Sequence, residues 1–479
     1  MGKIKNIWWV YAGAILFVAL NAFFIYKEFY LFSLVPLVLL LVAAAFLSID
    51  KLLLAVVFMV PLSVPLSELI EGLPINMFLP TEPLLAGMLL IFIVKILYEK
   101  QFDKDVLLHP ISLLIYFYLG WMLITTVTST MPLVSIKYFI SRLWFIVVFY
   151  FIATQLFRNP DNARRYVMYY VYGLVIVVFY ALIRHAAYGI FDEKIAHWSA
   201  NPFYKDHTSY GAMLAMYIPP LIGMTFYKGY SSSKNFTYGM LSALLLIAIV
   251  FSYSRAAWIG LIAGFGIWVL VKLKIRFSII FFSAVLFFTV IFAFGDNIMR
   301  SLESNDQDSS TDLASHVQSI TNISSDASNL ERLLRWNCAI RMFKEKPVFG
   351  WGPGTYMFQY APFQFSHEKT IISTNKGDGG NAHSEYLGPM SEQGFMAPII
   401  FILIIIYSMI VGLRAIKNTE NKELKMLGLF TLMGLFTYYL HGIVNNFLDT
   451  DKASAPFWGF TALMVAIDVY HKKQKKAKA

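Results

Sequence analysis

Few side chains in this sequence could move a proton or hold an anion, and they gather where apolar runs begin or end. His383 follows Gly377-Asp-Gly-Gly380 within Asn381-Ala-His383-Ser-Glu385 and directly precedes an apolar run. An imidazole titrating near neutrality suits taking a proton from a hydroxyl group. Glu385 is its local rival, although a carboxylate beside arginines has a lowered pKa and is a poorer base. Arg142, Arg184 and Arg255 sit near the ends of apolar runs, and Arg332 lies in a polar stretch between two of them. Arginine near a membrane is costly unless paired, buried against a partner or facing water, and its planar fork matches phosphate oxygens two at a time. Snorkelling or an ion pair explains any one of them, Arg184 best. It explains Arg255 least, because the turn Ser252-Tyr-Ser-Arg255 leaves little slack. Asp449-Thr-Asp451 could hold a divalent cation, but two acidic residues in a short loop are usually solvated, and no metal site is expected. Gly350-Trp-Gly-Pro-Gly354 lacks the Gly-Lys-Ser/Thr ending of a phosphate-binding loop. It reads as a tight turn docking the helix before it.

Composition identifies the scaffold that must position these groups. Of 479 residues, 58% are hydrophobic and 14% charged, and the mean hydropathy is +0.61. Soluble domains carry nearer a quarter charged residues, so the expectation is an all-α polytopic membrane protein. Stretches long enough to cross a bilayer fall at roughly 7–26, 29–48, 51–67, 82–98, 110–128, 139–157, 166–184, 208–227, 237–253, 256–271, 276–294, 395–413, 424–444 and 453–470. That makes about 14 transmembrane helices, those at 51–67, 82–98 and 256–271 being short. The apolar run after Lys3 and Lys5 lacks a small-residue cleavage site and reads as an uncleaved first span. Residues 67–82, with Pro74 and Pro80, read as an outer hairpin or re-entrant turn.

The net charge of +10 is concentrated in short loops and in the tail His471 to Lys478. That is a positive-inside pattern and gives no reason to invoke nucleic acid. With a cytoplasmic N-terminus, the basic loops at 98–104, 158–165, 272–276 and 414–417 all fall inside. Arg142, Arg184, Arg255, Arg332 and His383 then share the opposite face. Three regions result: an N-terminal bundle (1–294), a helical extracytoplasmic insertion (295–394), and C-terminal spans with a basic cytoplasmic tail (395–479). In the insertion, Ser301 to Asn329 is a polar surface loop. Ser328-Asn-Leu-Glu331 has the form of a capping box opening a helix that ends before Pro347. Leu333, Trp336, Ile340 and Phe343 form its apolar stripe, with Arg332 beside it and Arg335 and Arg341 pointing elsewhere. The lone cysteine, Cys338, excludes an intramolecular disulfide.

Arg332-Leu-Leu-Arg-Trp336, Pro347-Val-Phe-Gly-Trp-Gly-Pro-Gly354, His383-Ser-Glu-Tyr-Leu387 and Glu392-Gln-Gly394 together resemble the signature of the O-antigen ligase and polymerase superfamily. Ser254-Arg255 before Trp258 is similar to its upstream Ser-Arg element. The specific motifs lie mainly within 252–396. Ser384 departs from the usual asparagine, and the segment from Tyr356 to His383 is longer and more polar than is common. The resemblance implies a bacterial inner-membrane enzyme that moves a glycan from undecaprenyl diphosphate to an acceptor sugar at the periplasmic face, without metal or cofactor. It implies His383 as base and Arg255 and Arg332 on the diphosphate, with Arg142 added from position alone. A ligase would use lipid A-core or another surface acceptor, and a polymerase a second lipid-linked glycan. A transporter for the lipid-linked sugar is the competing class, but the repeat symmetry and mid-membrane polar residues expected of one are not evident.

Overall fold

A computed structural model describes residues 2–27, 32–33, 36, 48–69, 77–99, 102–273, 289, 327–365 and 380–472. Most of the spans expected at 29–48 and 276–294, most of the polar loop 301–329, and Gly377 to Gly379 lie outside the described residues. The chain forms two compact units, Met1–Leu52 and Leu53–Ala479. The first holds helix α1 (Gly2–Tyr26), an apolar helix whose side chains from Tyr11 onward are mostly exposed.

The second unit is a helical bundle. After α2 (Ile49–Met59) come α3 (Thr81–Glu99), α4 (Pro110–Val127), α5 (Pro132–Leu156), α6 (Asp161–Tyr188), α7 (Glu193–Ser199), α8 (His207–Thr225), α9 (Ser232–Phe251) and α10 (Arg255–Lys272). Then follow α11 (Ala327–Glu345), α12 (Leu387–Gln393), α13 (Met396–Asn418), α14 (Lys422–Val444) and α15 (Asp451–Tyr470). Nine helices among the described residues are long and apolar enough to cross a membrane: α3, α4, α5, α6, α9, α10, α13, α14 and α15. The chain is therefore a multi-pass membrane protein. Leu90, Phe117, Phe179, Ile247, Ile262 and Ile402 are exposed on the peripheral helices, as a lipid-facing surface requires. In contrast, α15 is buried from Asp451 to Ile467. Helix α8, nearly wholly buried, occupies the stretch expected as a span at 208–227, although it is not among those nine.

The stretch 51–67 does not cross as one helix. Helix α2 ends at Met59, a 3-10 turn takes Val60–Leu62, and Val64–Pro65 (β1) pairs antiparallel with Phe78–Leu79 (β2). Pro61 and Pro65 deny the continuing backbone its amide donors. The hairpin expected over 67–82 is thus closed by a two-stranded ladder. Helix α5 also begins at Pro132, not near 139, which sets Arg142 about three turns inside it.

Of the polar insertion, residues 327–365 and 380–394 are described, and they have their own core of Cys338, Ala339, Met342, Tyr356, Tyr360 and Ala382. This core selects a different face of α11 from the expected stripe. Leu334, Arg335, Cys338, Ala339 and Met342 are buried, whereas Ile340 is exposed. The face that meets 356–363 is the buried one, and that contact is invisible to local periodicity. Glu331 accepts a hydrogen bond from Arg335 Nε at 2.8 Å.

Candidate active site

His383 has a left-handed backbone, with φ of 47°. A non-glycine residue there carries a strain on the order of 1–3 kcal/mol and persists only where neighbours over-determine it. Two contacts do so: His383 N donates to Asn381 Oδ1 at 3.0 Å, and Trp336 Nε1 on α11 donates to the His383 carbonyl at 3.4 Å. Burial first, then the charges of Arg332 and Arg335, bring the imidazole down to about 4, with Asp206 and Glu331 pushing the other way. The ring is therefore neutral across the physiological range.

Arg332 approaches from α11 and Arg255 from the first turn of α10. Burial and the like charge of Arg255 lower the Arg332 guanidinium to about 10, partly opposed by Asp206. The turn presenting Arg255 is itself fixed: Tyr253 has φ of 50°, and its hydroxyl donates to Phe191 O at 3.1 Å. Asp206 caps α8, accepting from Thr208 N, Thr208 Oγ1 and Ser209 N at 2.9, 2.6 and 2.8 Å. Burial would raise its carboxyl, but these donors and His207 hold it below the usual value. His207 stacks on His197 with ring centroids 4.1 Å apart. Burial, His197 and Arg332 depress the His207 imidazole to about 3. One polar cluster thus draws on α7, α8, α10, α11 and the 380–386 segment.

The glycine-rich turn supports that segment. Trp351 Nε1 donates to Met342 O at 3.1 Å, docking the turn on α11 as expected. It reaches further too. Trp351 N and Gly352 N donate to Ser391 O and Glu392 O at 3.2 and 2.7 Å, and Thr130 N donates to Trp351 O at 3.0 Å. Gly394 has φ of 73°, and a Cβ there would collide with the Val348 carbonyl, so the crossing of the two strands of chain needs glycine. Burial raises the Glu392 carboxyl to about 7, against the amides of Tyr356 and Gly354, which lower it.

Arg142 is not part of the cluster. It is buried, and its guanidinium donates to Leu448 O and the Tyr138 hydroxyl, with the Tyr118 hydroxyl and the Glu385 carboxyl also near. It lines a cavity of about 130 Å³ together with Glu385, Glu392, Asn381, Asn446 and Asp449, a wall to which His383 does not contribute. Position along the span suggested convergence, but the start of α5 at Pro132 moves Arg142 toward the 445–450 segment instead. Arg184 is committed to a turn, donating to Asn201 O at 2.6 Å and lying 4.5 Å over Trp198.

Glu385 Oε1 accepts from Tyr438 Oη, Phe447 N and Leu448 N at 2.7, 2.7 and 2.8 Å. Burial raises this carboxyl despite Arg142 and those donors. It serves as an anchor for the backbone between α14 and α15. Asp451 Oδ2 accepts from Ser63 Oγ at 2.7 Å and Thr81 Oγ1 at 2.5 Å, whereas Asp449 lines the cavity with Arg142. The two aspartates are thus engaged with different surroundings.

Asp206 and His207 escaped notice in the sequence, and Arg335, expected to point away from the apolar stripe, is buried. The first two had a readable signal, since Asp206-His-Thr-Ser209 before an apolar run is an N-cap pattern. Arg335 had none, because only the tertiary core shows which face of α11 turns inward.

Residues 240–402 match the family described as O-antigen ligase. The matched stretch runs from α9 to α13 and contains Arg255, Arg332, the glycine-rich turn and His383, while Arg142 lies outside it. No curated protein matches the chain.

Proposed function

We propose that this chain, whose residues 240–402 match the O-antigen ligase family, transfers a glycan from undecaprenyl diphosphate to an acceptor hydroxyl. The site faces the periplasm, on the outer side of the bacterial inner membrane. The observation that carries this reading is the gathering of His383, Arg255 and Arg332, from three separate parts of the sequence, in one polar cluster at the end of an apolar bundle.

In the proposed step the acceptor oxygen attacks the anomeric carbon, and the bond from that carbon to the phosphoryl oxygen breaks. The leaving diphosphate keeps the electron pair, and His383 takes the acceptor proton. A neutral ring can accept a proton, although one whose pKa is near 4 does so weakly. Burial is the larger cause of that depression, and the negative charge of the diphosphate offsets the second, the Arg332 field. Proton affinity therefore rises when the donor is bound. Arg255 and Arg332 stabilise charge developing on the leaving group, the role usually worth most in such catalysis. One base and no second nucleophile fit a single displacement with inversion, by analogy with glycoside hydrolysis. Arg142 is read here as a brace for the 445–450 segment.

The acceptor is lipid A-core or another surface glycan in a ligase. The same chemistry with a second lipid-linked glycan as acceptor makes a polymerase. Purified protein given a lipid-diphosphate glycan, with either core acceptor or further donor, distinguishes them. Discrete transfer to core marks the ligase, a ladder on the carrier marks the polymerase, and no transfer in either mixture overturns the reading.

A further inference from the structure

We propose that the Ser254 hydroxyl donates a hydrogen bond to a phosphoryl oxygen of the bound diphosphate, as a third protein ligand beside Arg255 and Arg332. The inference rests on reading those arginines as the diphosphate site. Ser254 occupies the N-cap position of α10, where serine ordinarily turns its oxygen onto an amide of the first turn. Here it does not. The amides of Ala257 and Trp258 are both taken by the Ser254 main-chain carbonyl at 3.1 Å, and the side chain makes no cap bond. The hydroxyl is 1% exposed and has no hydrogen-bond partner among the described residues.

A buried hydroxyl without a partner is unfavourable and calls for an explanation. Its neighbours do not supply one. Ser252 Oγ goes to Ile249 O at 2.7 Å, and Trp258 Nε1 goes to that same carbonyl at 2.7 Å. Packing against α8 holds the group in place, since a Cβ on Gly211 would lie 2.7 Å from Ser254 Cβ and 3.1 Å from its Oγ. Helix α10 has 18 residues, and such a helix carries partial positive charge at its N-terminus, where amide donors favour phosphate. Arg255 is its first residue, and the Arg255 charge reaches Arg332. An idle hydroxyl donor, a helix N-terminus and two guanidinium groups therefore meet at one turn. That set suits a group with several anionic oxygens and suits a neutral sugar poorly.

The test uses the full-length chain in detergent. Binding of inorganic pyrophosphate and of a short prenyl diphosphate is measured for Ser254→Ala, Ser254→Cys, Arg255→Lys and Arg332→Lys, with melting temperatures alongside. Expected is a loss of about tenfold in affinity for both probes in Ser254→Ala, a similar loss in Ser254→Cys, and no fall in melting temperature. An ordinary capping serine gives the opposite pattern, a lower melting temperature with unchanged affinity, and that result overturns the proposal. Wild-type affinity in both Ser254 variants alongside losses in the two lysine variants also overturns it, leaving the arginine site intact. Wild-type affinity in all four variants removes the diphosphate site itself, and this inference with it.

Discussion

Arg332 and Arg255 lie close enough for one charge to be felt by the other, and burial plus that repulsion brings Arg332 down to about 10. Asp206 and Glu193 offset part of that charge, and the proposed diphosphate would add further negative charge. Arg255→Lys and Arg332→Lys keep the charge but lose the planar fork. Each is expected to lower transfer by about 10²–10³ at normal protein levels. Turnover like wild type in both would reduce these arginines to structural anchors.

His383→Ala is expected to lose roughly 10²–10⁴ in transfer rate while still binding the lipid-linked donor. Glu385→Gln should lose less, because its carboxylate is engaged by Tyr438, Phe447 and Leu448. Single-turnover transfer measured beside donor binding decides between the two. A dead Glu385→Gln with an active His383→Ala would reverse the assignment.

The pH dependence of kcat/KM follows from the same imidazole. Only its neutral form accepts a proton, and burial with Arg332 and Arg335 sets its pKa near 4 in the free protein. Activity should hold as pH falls through 6.5 and drop only toward about 4. Arg335→Gln removes one depressing charge, so its acidic limb should move to higher pH. A limb at 6.5 in both proteins would show that the arginine field does not act on His383.

Glu392 supplies a stability prediction of definite sign. Its carboxyl is raised from 4.5 to about 7, chiefly by burial, so the folded state holds the proton more tightly than the unfolded state does. The stabilisation is complete below 4.5 and is lost as pH rises from 4.5 through about 7. Glu392→Gln keeps an acceptor for Tyr356 N, which bonds Oε1 at 2.9 Å, and cannot titrate. Its melting temperature should vary less across that window than that of the wild type, and equal slopes would contradict the assignment.

Chelator should have little effect on transfer, and the Asp449→Asn, Asp451→Asn pair should retain most transfer activity if it folds. Arginines can neutralise a diphosphate without a metal ion, and Asp451 is engaged by Ser63 and Thr81. Inactivation by EDTA that magnesium or manganese reverses would move the chemistry toward Asp449.

The parts legible in the sequence were those governed by local pattern. The apolar runs from 82 to 470 that fall on described residues became helices, the stop at Pro347 held, and the glycine-rich turn docks on α11 through Trp351. What escaped depended on tertiary partners. The buried face of α11 is chosen by Tyr356 and Tyr360, so Arg335 turns inward and Ile340 outward. Arg142 was misplaced because hydropathy marks a membrane stretch and not the true start of its helix, seven residues earlier at Pro132. The engagement of Asp451 with Ser63 and Thr81 joins positions nearly 400 apart, beyond any window read along the chain.

Glu385 N donates to Gly442 O at 2.8 Å and Tyr386 Oη to Tyr439 O at 2.9 Å, while the Glu385 carboxylate holds the amides of Phe447 and Leu448. The residues that carry His383 are therefore laced to the junction between α14 and α15, more than fifty positions later. In a chimera, grafting 380–394 alone would import donors and acceptors whose mates stay behind. The transferable block is discontinuous: 380–394 must travel with 438–451 and with the glycine-rich turn, whose Trp351 and Gly352 amides bond Ser391 O and Glu392 O.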